Sequence, residues 1–108
     1  MHALDILGDP VRRRLIELLA QGDQTSGGLT DVVRAEFGIS QPAVSNHLRV
    51  LRDAGFARSI PQGSRRLYSL SAERMREAQT WVDAQLGFWN NRLDALDTEL
   101  QRGRREER

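Results

Sequence analysis

The sequence contains no cysteine and no lysine among its 108 residues, and only two histidines. Without cysteine, a disulfide framework, a thiolate metal site and a cysteine nucleophile are all excluded. No apolar run approaches the length of about 18 residues that a membrane span needs, and no basic segment precedes an apolar one at the N-terminus. We therefore expect a cytoplasmic protein that has no membrane attachment and no metal or other cofactor.

Catalytic motifs are also missing, since the sequence has no glycine-rich phosphate loop, nucleophile elbow or metal-binding motif. We therefore do not expect an enzyme.

The charge distribution is more informative. Residues 40–70 contain five arginines and one acidic residue, a net charge of +4, whereas the segments on either side carry −2 and −1. A local basic segment is typical of a surface that binds nucleic acid, whereas a genome rich in G and C is the favoured explanation for the absence of lysine.

Four helices are predicted before residue 55. The first is a short apolar helix at residues 3–7 that ends at Gly8, and the second begins at Asp9-Pro10, a typical helix start. The third covers about residues 29–37 and ends at Gly38, where a left-handed residue is wanted. The fourth begins at Ser40, a typical cap, and runs to about residue 54. Two helices joined by such a short turn are typical of a helix-turn-helix, here about residues 29–54.

The fourth helix has two different faces. Its apolar residues fall on one side of a helical wheel: Val44, Leu48 and Leu51. Small and polar residues fall on the other side: Pro42, Ser45, Asn46 and Arg49. Such a helix fits the DNA major groove, where asparagine can bond adenine and arginine can bond guanine or phosphate. His47 lies near the apolar edge, which favours a packed structural role over DNA contact or pH sensing.

A β-hairpin is predicted at residues 56–70, with a turn at 61–64. Its arginines, Arg58, Arg65 and Arg66, are expected to lie along the DNA backbone or minor groove.

Residues 23–28 are predicted to be a loop. The three consecutive arginines at 12–14 could contact phosphate, although a solvated helix face is favoured. The fold class predicted is mainly α, a winged helix-turn-helix with a two-stranded wing.

A long helix is predicted from about 71 to 101, with apolar residues at every third or fourth position. Its length would be roughly 46 Å, whereas a compact domain of this size has a radius of gyration of about 13 Å. We therefore expect a partner chain to cover it. Trp81, Phe88 and Trp89 could form part of a dimer core or an effector pocket, and the core is favoured. Residues 1–101 are predicted to form one domain, followed by a flexible arginine-rich tail at 102–108.

Most of the chain resembles the ArsR/SmtB family of bacterial repressors. The resemblance rests on LGDPVRRRLIELLA (7–20), FGISQPAVSNHLRVLRDAGF (37–56), GSRRLYSL (63–70) and LGFWNNRLDALDTEL (86–100). It implies a homodimer that binds a palindromic operator on double-stranded DNA, blocks transcription and responds to an effector, unknown here. It also implies DNA reading by Gln41, Pro42, Ser45 and Asn46, and a dimer interface formed by the first and last helices.

The candidate site residues follow from these patterns and from the resemblance together. The candidate DNA-binding residues are Ser40, Gln41, Pro42, Ser45, Asn46, Arg49, Arg58, Arg65 and Arg66. The candidate dimer-interface residues are Leu4, Leu7, Val82, Leu86, Trp89, Leu93 and Leu96.

One departure from the family pattern and two alternatives bear on this interpretation. Metal-sensing members of the family use cysteines near the recognition helix, or histidine and acidic residues on the last helix. This chain has no cysteine and no histidine on its last helix, so no metal site is expected. The alternatives are a winged-helix module that binds a protein partner without specific DNA binding, and a DNA-binding activator or architectural factor. A regulator bound to DNA would be associated with the nucleoid.

Overall fold

The computed structural model describes residues 2–106, with side chains through residue 105. The chain divides into two compact units between Glu77 and Ala78. Within the described residues the elements are α1 (Ala3–Leu7), α2 (Pro10–Ala20), β1 (Gln24–Thr25), α3 (Ser26–Phe37), α4 (Gln41–Asp53), β2 (Ala57–Gln62), β3 (Arg65–Leu70) and α5 (Glu73–Glu106).

Helix α2 begins where the sequence predicted. The Asp9 carboxylate accepts hydrogen bonds from the backbone N–H groups of Val11 at 2.8 Å and Arg12 at 3.1 Å. Pro10 occupies the first turn, where its missing N–H is not needed. These bonds satisfy two of the backbone donors that every helix leaves free at its start.

The consecutive arginines of α2 hold neighbouring helices in place. Arg12 and Arg13 donate to the carbonyl oxygens at the end of α1, including those of Ile6 at 2.9 Å and Leu7 at 2.7 Å. Arg14 donates to both carboxylate oxygens of Glu36 on α3, at 2.8 and 2.9 Å. Arg13 is exposed and Arg12 and Arg14 are half-buried, so the predicted solvated face is confirmed only in part, because these guanidinium groups also lie within reach of acceptors on α1 and α3.

Helices α3 and α4 form the helix-turn-helix, as predicted. Gly38 ends α3 in the left-handed region, with φ of 65°. The Ser40 hydroxyl then accepts from the N–H of Ala43 at 3.3 Å and caps α4. Helix α3 begins at Ser26, earlier than the predicted residue 29, because the Thr25 hydroxyl accepts from the N–H of Gly28 at 3.2 Å and starts the helix there.

The wing hairpin is present, but the sheet has three strands rather than the two predicted. Its strand order is β1-β3-β2, and both pairs are antiparallel. The segment expected to be a loop at 23–28 contains β1, which pairs Gln24 with Tyr68 and Thr25 with Leu67. Strand β2 extends through Gln62, so the predicted four-residue turn is reduced to residues 63–64.

Helices α2, α3 and α4 pack against one another, α2 and α3 also pack against β3, and α4 packs against β2, which places one apolar core inside the first unit. Its largest completely buried side chains come from separate parts of the chain: Ile6, Leu15, Leu29, Leu51 and Phe56. Burying a side chain of this size stabilises a fold by about 1.5–3 kcal/mol. This core therefore determines how α4 lies against α2 and α3.

The second unit consists of the part of α5 that follows Glu77. Helix α5 continues to Glu106, so the predicted helix end at 101 was wrong. Gly103 does not stop the helix, because a glycine in a helix interior costs only about 1 kcal/mol. Residues 107–108 of the predicted tail lie outside the described residues. Among the described helices, none is both long and apolar enough to cross a membrane.

Replacing Gly38 with alanine should lower the free energy of unfolding by about 1 kcal/mol, because an L-residue is strained in the left-handed region. Gly27→Ala on the same helix is the matched control, since a Cβ would meet nothing within 4 Å at either position and only Gly38 has a positive φ. Both substitutions restrict the unfolded chain to a similar extent. Urea denaturation measures the difference, and equal midpoints for the two variants would contradict it.

Candidate nucleic-acid interface

Helix α4 presents a polar face to solvent because its other face is buried. Val44, Leu48 and Leu51 are at most 2% exposed. The opposite side carries the four residues that the wheel predicted, and all of them are exposed: Pro42, Ser45, Asn46 and Arg49. They line a shallow depression of about 360 Å³ on the helix surface. The side chains of α4 that could read base edges therefore lie together.

Two of these side chains are bonded to each other. Nη2 of Arg49 donates to Oδ1 of Asn46 at 2.6 Å, along the same face of α4. A separation of three residues places side chains next to each other on a helix. Neither side chain is therefore oriented independently of the other.

The start of α4 is shaped by Ser40 and Gln41. The Ser40 hydroxyl caps the helix, so its oxygen is engaged with the N–H of Ala43. Gln41, the first residue of the helix, is exposed. The start of a helix favours binding of a phosphate, because the free backbone N–H groups and the positive end of the helix dipole both point towards an anion placed there.

The wing arginines lie on two different faces of the hairpin. Successive side chains of a strand point to opposite faces, and paired residues share a face. Arg58 pairs with Ser69 and Arg65 pairs with Gln62, which places both arginines on one face. Arg66 pairs with Pro61 on the other face, and its Nη1 donates to the Ser59 hydroxyl at 3.1 Å. The arginines at the tip therefore flank the hairpin and do not form a single row.

A groove of about 570 Å³ lies between the start of α3 and the hairpin tip. Its lining combines the first turn of α3 with Ser64, Arg65 and Arg66 of the hairpin, and Asp31 also contributes. Sequence reasoning predicted a loop at residues 23–28 and therefore missed this groove. The Thr-Ser-Gly-Gly segment at 25–28 was the available signal, since threonine is a common helix cap.

His47 connects α4 to the start of α2. Its ring is half-buried, and its Nδ1 lies 3.8 Å from Oδ1 of Asp9 without a hydrogen-bond partner among the described residues. Burial would raise the pKa of Asp9, but the N–H of Arg12, His47 and the N–H of Val11 outweigh that effect and hold it below its ordinary value. This packed position agrees with the role predicted for His47.

The candidate dimer residues are accessible in both units. Leu4 and Leu7 are half-buried on α1, whereas Ala3 and Ile6 of the same helix are completely buried. On α5 the predicted residues repeat every three or four positions and are 41–54% exposed: Val82, Leu86, Trp89, Leu93 and Leu96. They fall within about 40° of one another's mean direction on a helical wheel. The second unit therefore carries a continuous apolar stripe that its own residues leave exposed.

These elements define a class of protein. A helix-turn-helix followed by an arginine-bearing hairpin is a winged helix-turn-helix, the architecture of many transcriptional regulators that bind DNA. Among the described residues, no group of three or more potential metal ligands is clustered.

Comparison with known proteins identifies the family. Residues 9–59 match the model of the bacterial regulatory protein family arsR. The chain is 35% identical over 92 residues to the HTH-type transcriptional regulator Rv2034 of Mycobacterium tuberculosis, covering 85% of this chain and 79% of that protein. It is 32% identical over 76 residues to the transcriptional repressor SdpR of Bacillus subtilis, covering 70% of this chain and 80% of that one.

A solved structure agrees with these relatives. The crystal structure of a possible transcriptional regulator for arsenical resistance superimposes with a TM-score of 0.69 at 34% identity, covering 92% of this chain and 96% of that chain. The chain belongs to the ArsR family of bacterial transcriptional regulators.

Asp9 should make the stability of the first unit depend on pH. Because its folded pKa lies below its ordinary value, its contribution is complete above the unfolded pKa and is lost as the pH falls through the folded one. Asp9→Asn keeps an oxygen that can cap α2 but removes the charge, so its unfolding free energy should fall less on acidification. Asp9→Ala should cost about 1 kcal/mol at pH 7 through loss of the cap.

Urea denaturation between neutral pH and pH 2 measures both effects. Asp23→Asn, which removes the same charge from an exposed position, is the control and should follow the parent protein. Parallel pH profiles for Asp9→Asn and the parent would contradict the role given to the Asp9 carboxylate.

Proposed function

We propose that this regulator is a homodimeric repressor that binds a palindromic operator, with α4 of each subunit in the major groove. The observation that carries the proposal is the exposed polar face of α4, which the buried Val44, Leu48 and Leu51 hold outward. The major groove admits one helix and presents a distinct pattern of donors and acceptors for each base pair. The protein would act in this way by binding, without catalysis.

The residues that would face the bases in this proposal are Pro42, Ser45, Asn46 and Arg49, which line one depression on α4. Ser40 and Gln41 would position the start of the helix against a phosphate, since helix starts attract anions. The small side chains of Pro42 and Ser45 allow the backbone of α4 to approach the base edges closely. The side chains of α4 would therefore contact the base edges directly.

The wing residues Arg58, Arg65 and Arg66 would bind the neighbouring backbone or minor groove. Their position supports this, because Arg65 and Arg66 flank the hairpin tip beside the groove at the start of α3. Arginine in this setting neutralises phosphate and does not read sequence. The wing would therefore add affinity that depends on salt, and α4 would add the sequence preference.

A second copy of the chain is the partner that the apolar stripe of α5 fits. Both copies carry the same apolar stripe, and a two-fold axis can bring the two stripes face to face, so that each covers the other. Exposed apolar patches of this kind mark interaction sites. The interface would comprise Leu4 and Leu7 of α1 together with the α5 stripe, as the family resemblance implies.

Two recognition helices related by a two-fold axis require half-sites about one helical turn apart, roughly 34 Å. Occupying such an operator would exclude RNA polymerase and so repress transcription. Release would require an effector that binds more tightly to a dimer whose recognition helices are wrongly spaced. Since the sequence has no cysteine, this effector would not be sensed through thiolates. A cytoplasmic protein associated with the nucleoid fits this role.

Selection of genomic fragments with purified protein, followed by footprinting at two salt concentrations, tests the proposal. The expected result is a protected palindrome with two half-sites about one turn apart. Weak binding that is independent of sequence and disappears at physiological salt would contradict it. That outcome would favour a module that binds a protein partner.

Replacing both Arg65 and Arg66 with alanine should weaken binding to every DNA sequence and leave base preference unchanged. The slope of log K against log salt should flatten by about two, because each lost phosphate contact removes about 0.9 from it. Fluorescence anisotropy over a salt series measures the slope. Lysine at both positions keeps the charges and should keep the slope, and an unchanged slope in the alanine variant would exclude the wing from the interface.

Leu93→Glu should convert the dimer to a monomer, because the introduced carboxylate would be buried against apolar side chains. Asn91→Glu is the matched control, since that exposed residue lies about 200° away from Leu93 around α5. Sedimentation equilibrium should give about twice the chain mass of 12.3 kDa for the parent and the control, and the chain mass for Leu93→Glu. A monomeric parent protein would contradict the dimer.

A further inference from the structure

The bond between Asn46 and Arg49 determines what the centre of α4 can recognise. Arginine has donors and no acceptor, so the amide group that faces Nη2 of Arg49 at 2.6 Å must be the oxygen of Asn46. The other end of that amide, its NH₂ group, therefore points away from Arg49. Chemistry alone assigns the orientation of the Asn46 amide.

An asparagine engaged in this way is poorly suited to read adenine. Adenine recognition uses both ends of the amide, with the oxygen accepting from N6 and the NH₂ group donating to N7. In this protein the Asn46 oxygen already accepts from Arg49, which leaves it one lone pair. The pair therefore offers mainly N–H donors, from the Asn46 NH₂ group and from the remaining nitrogens of Arg49.

The base that complements a set of donors is guanine, whose N7 and O6 in the major groove are both acceptors. Arg49 is exposed and has no ion pair among the residues that the structure describes. By contrast, Arg52 on the same helix lies 3.6 Å from the Asp53 carboxylate. The charge of Arg49 is therefore available to a base, and the bond to Asn46 limits the directions in which its guanidinium can point.

We infer that Arg49 reads a guanine in each operator half-site and that Asn46 is a positioning residue that orients Arg49, not an adenine reader. This inference rests on the proposed function, since it assumes that α4 enters the major groove. It names guanine as the base that the pair selects, and it assigns base reading to Arg49 and positioning to Asn46.

The test uses the selected operator with every base substituted in turn at each position of one half-site, and fluorescence anisotropy at constant salt. Arg49→Ala should weaken binding on the order of ten- to hundredfold and abolish the preference for guanine at one position. Replacing that guanine with 7-deazaguanine should weaken binding by the parent protein and have no effect on Arg49→Ala. Arg52→Ala, the matched loss of charge on α4, should leave all base preferences unchanged.

Asn46 variants separate positioning from reading. Asn46→Ala should reduce discrimination at the same guanine as Arg49→Ala, and the double variant should be no worse than Arg49→Ala alone. Asn46→Asp keeps an oxygen that accepts from Arg49 and should restore the guanine preference. Circular dichroism and urea midpoints check that these exposed substitutions leave the fold intact.

Two outcomes would overturn the inference while leaving the proposed function in place. One is an unchanged base preference in Arg49→Ala. The other is a loss of preference for adenine at a separate position in both Asn46→Ala and Asn46→Asp. If the parent protein shows no sequence-selective binding at all, the proposed function fails, and this inference fails with it.

Discussion

The packing of the apolar side of α4 against α2 and α3 is the constraint on which the rest of the candidate interface depends. Val44, Leu48 and Leu51 are almost completely buried. Since each residue turns an α-helix by about 100°, burying these three side chains specifies the direction of the others. Asn46 and Arg49 face outward for this reason and need no further support to do so. Rotating α4 would expose apolar side chains worth about 1.5–3 kcal/mol each, so the orientation of the helix and the stability of the fold are coupled.

Polar groups at the helix ends supply the remaining rigidity of the first unit. The Asp9 carboxylate caps α2, Arg12 and Arg13 satisfy carbonyl groups at the end of α1, and Arg14 joins α2 to α3 through Glu36. The bonds of Asp9 and Arg12 satisfy partly buried backbone groups, whereas those of Arg13 and Arg14 lie at the surface. The bond with Arg14 also lowers the pKa of Glu36, because the charged carboxylate is the form that accepts it. The scaffold under α4 is thus held by both apolar burial and directed hydrogen bonds.

Several features of this fold could be predicted because they depend on neighbouring residues. The caps at Asp9 and Ser40 and the left-handed end at Gly38 are local chemistry, and the structure places all three as expected. Strand β1 could not be predicted, since two residues carry no periodicity and the strand exists only through its pairing with β3. The end of α5 was also missed, because the single Gly103 weakens a helix without ending it.

The sequence by itself determined the class of fold, the family resemblance and the polar face of α4, since these follow from capping, helical periodicity and motifs that span only a few residues. Only the tertiary structure decided that Arg58 shares a face of the wing with Arg65 and not with Arg66, because strand register depends on the pairing of β2 with β3. It likewise decided that the arginines at 12–14 hold neighbouring helices and that Asn46 is bonded to Arg49. Periodicity predicts which way a side chain points, whereas the partner it meets depends on which elements the folded chain brings within bonding distance.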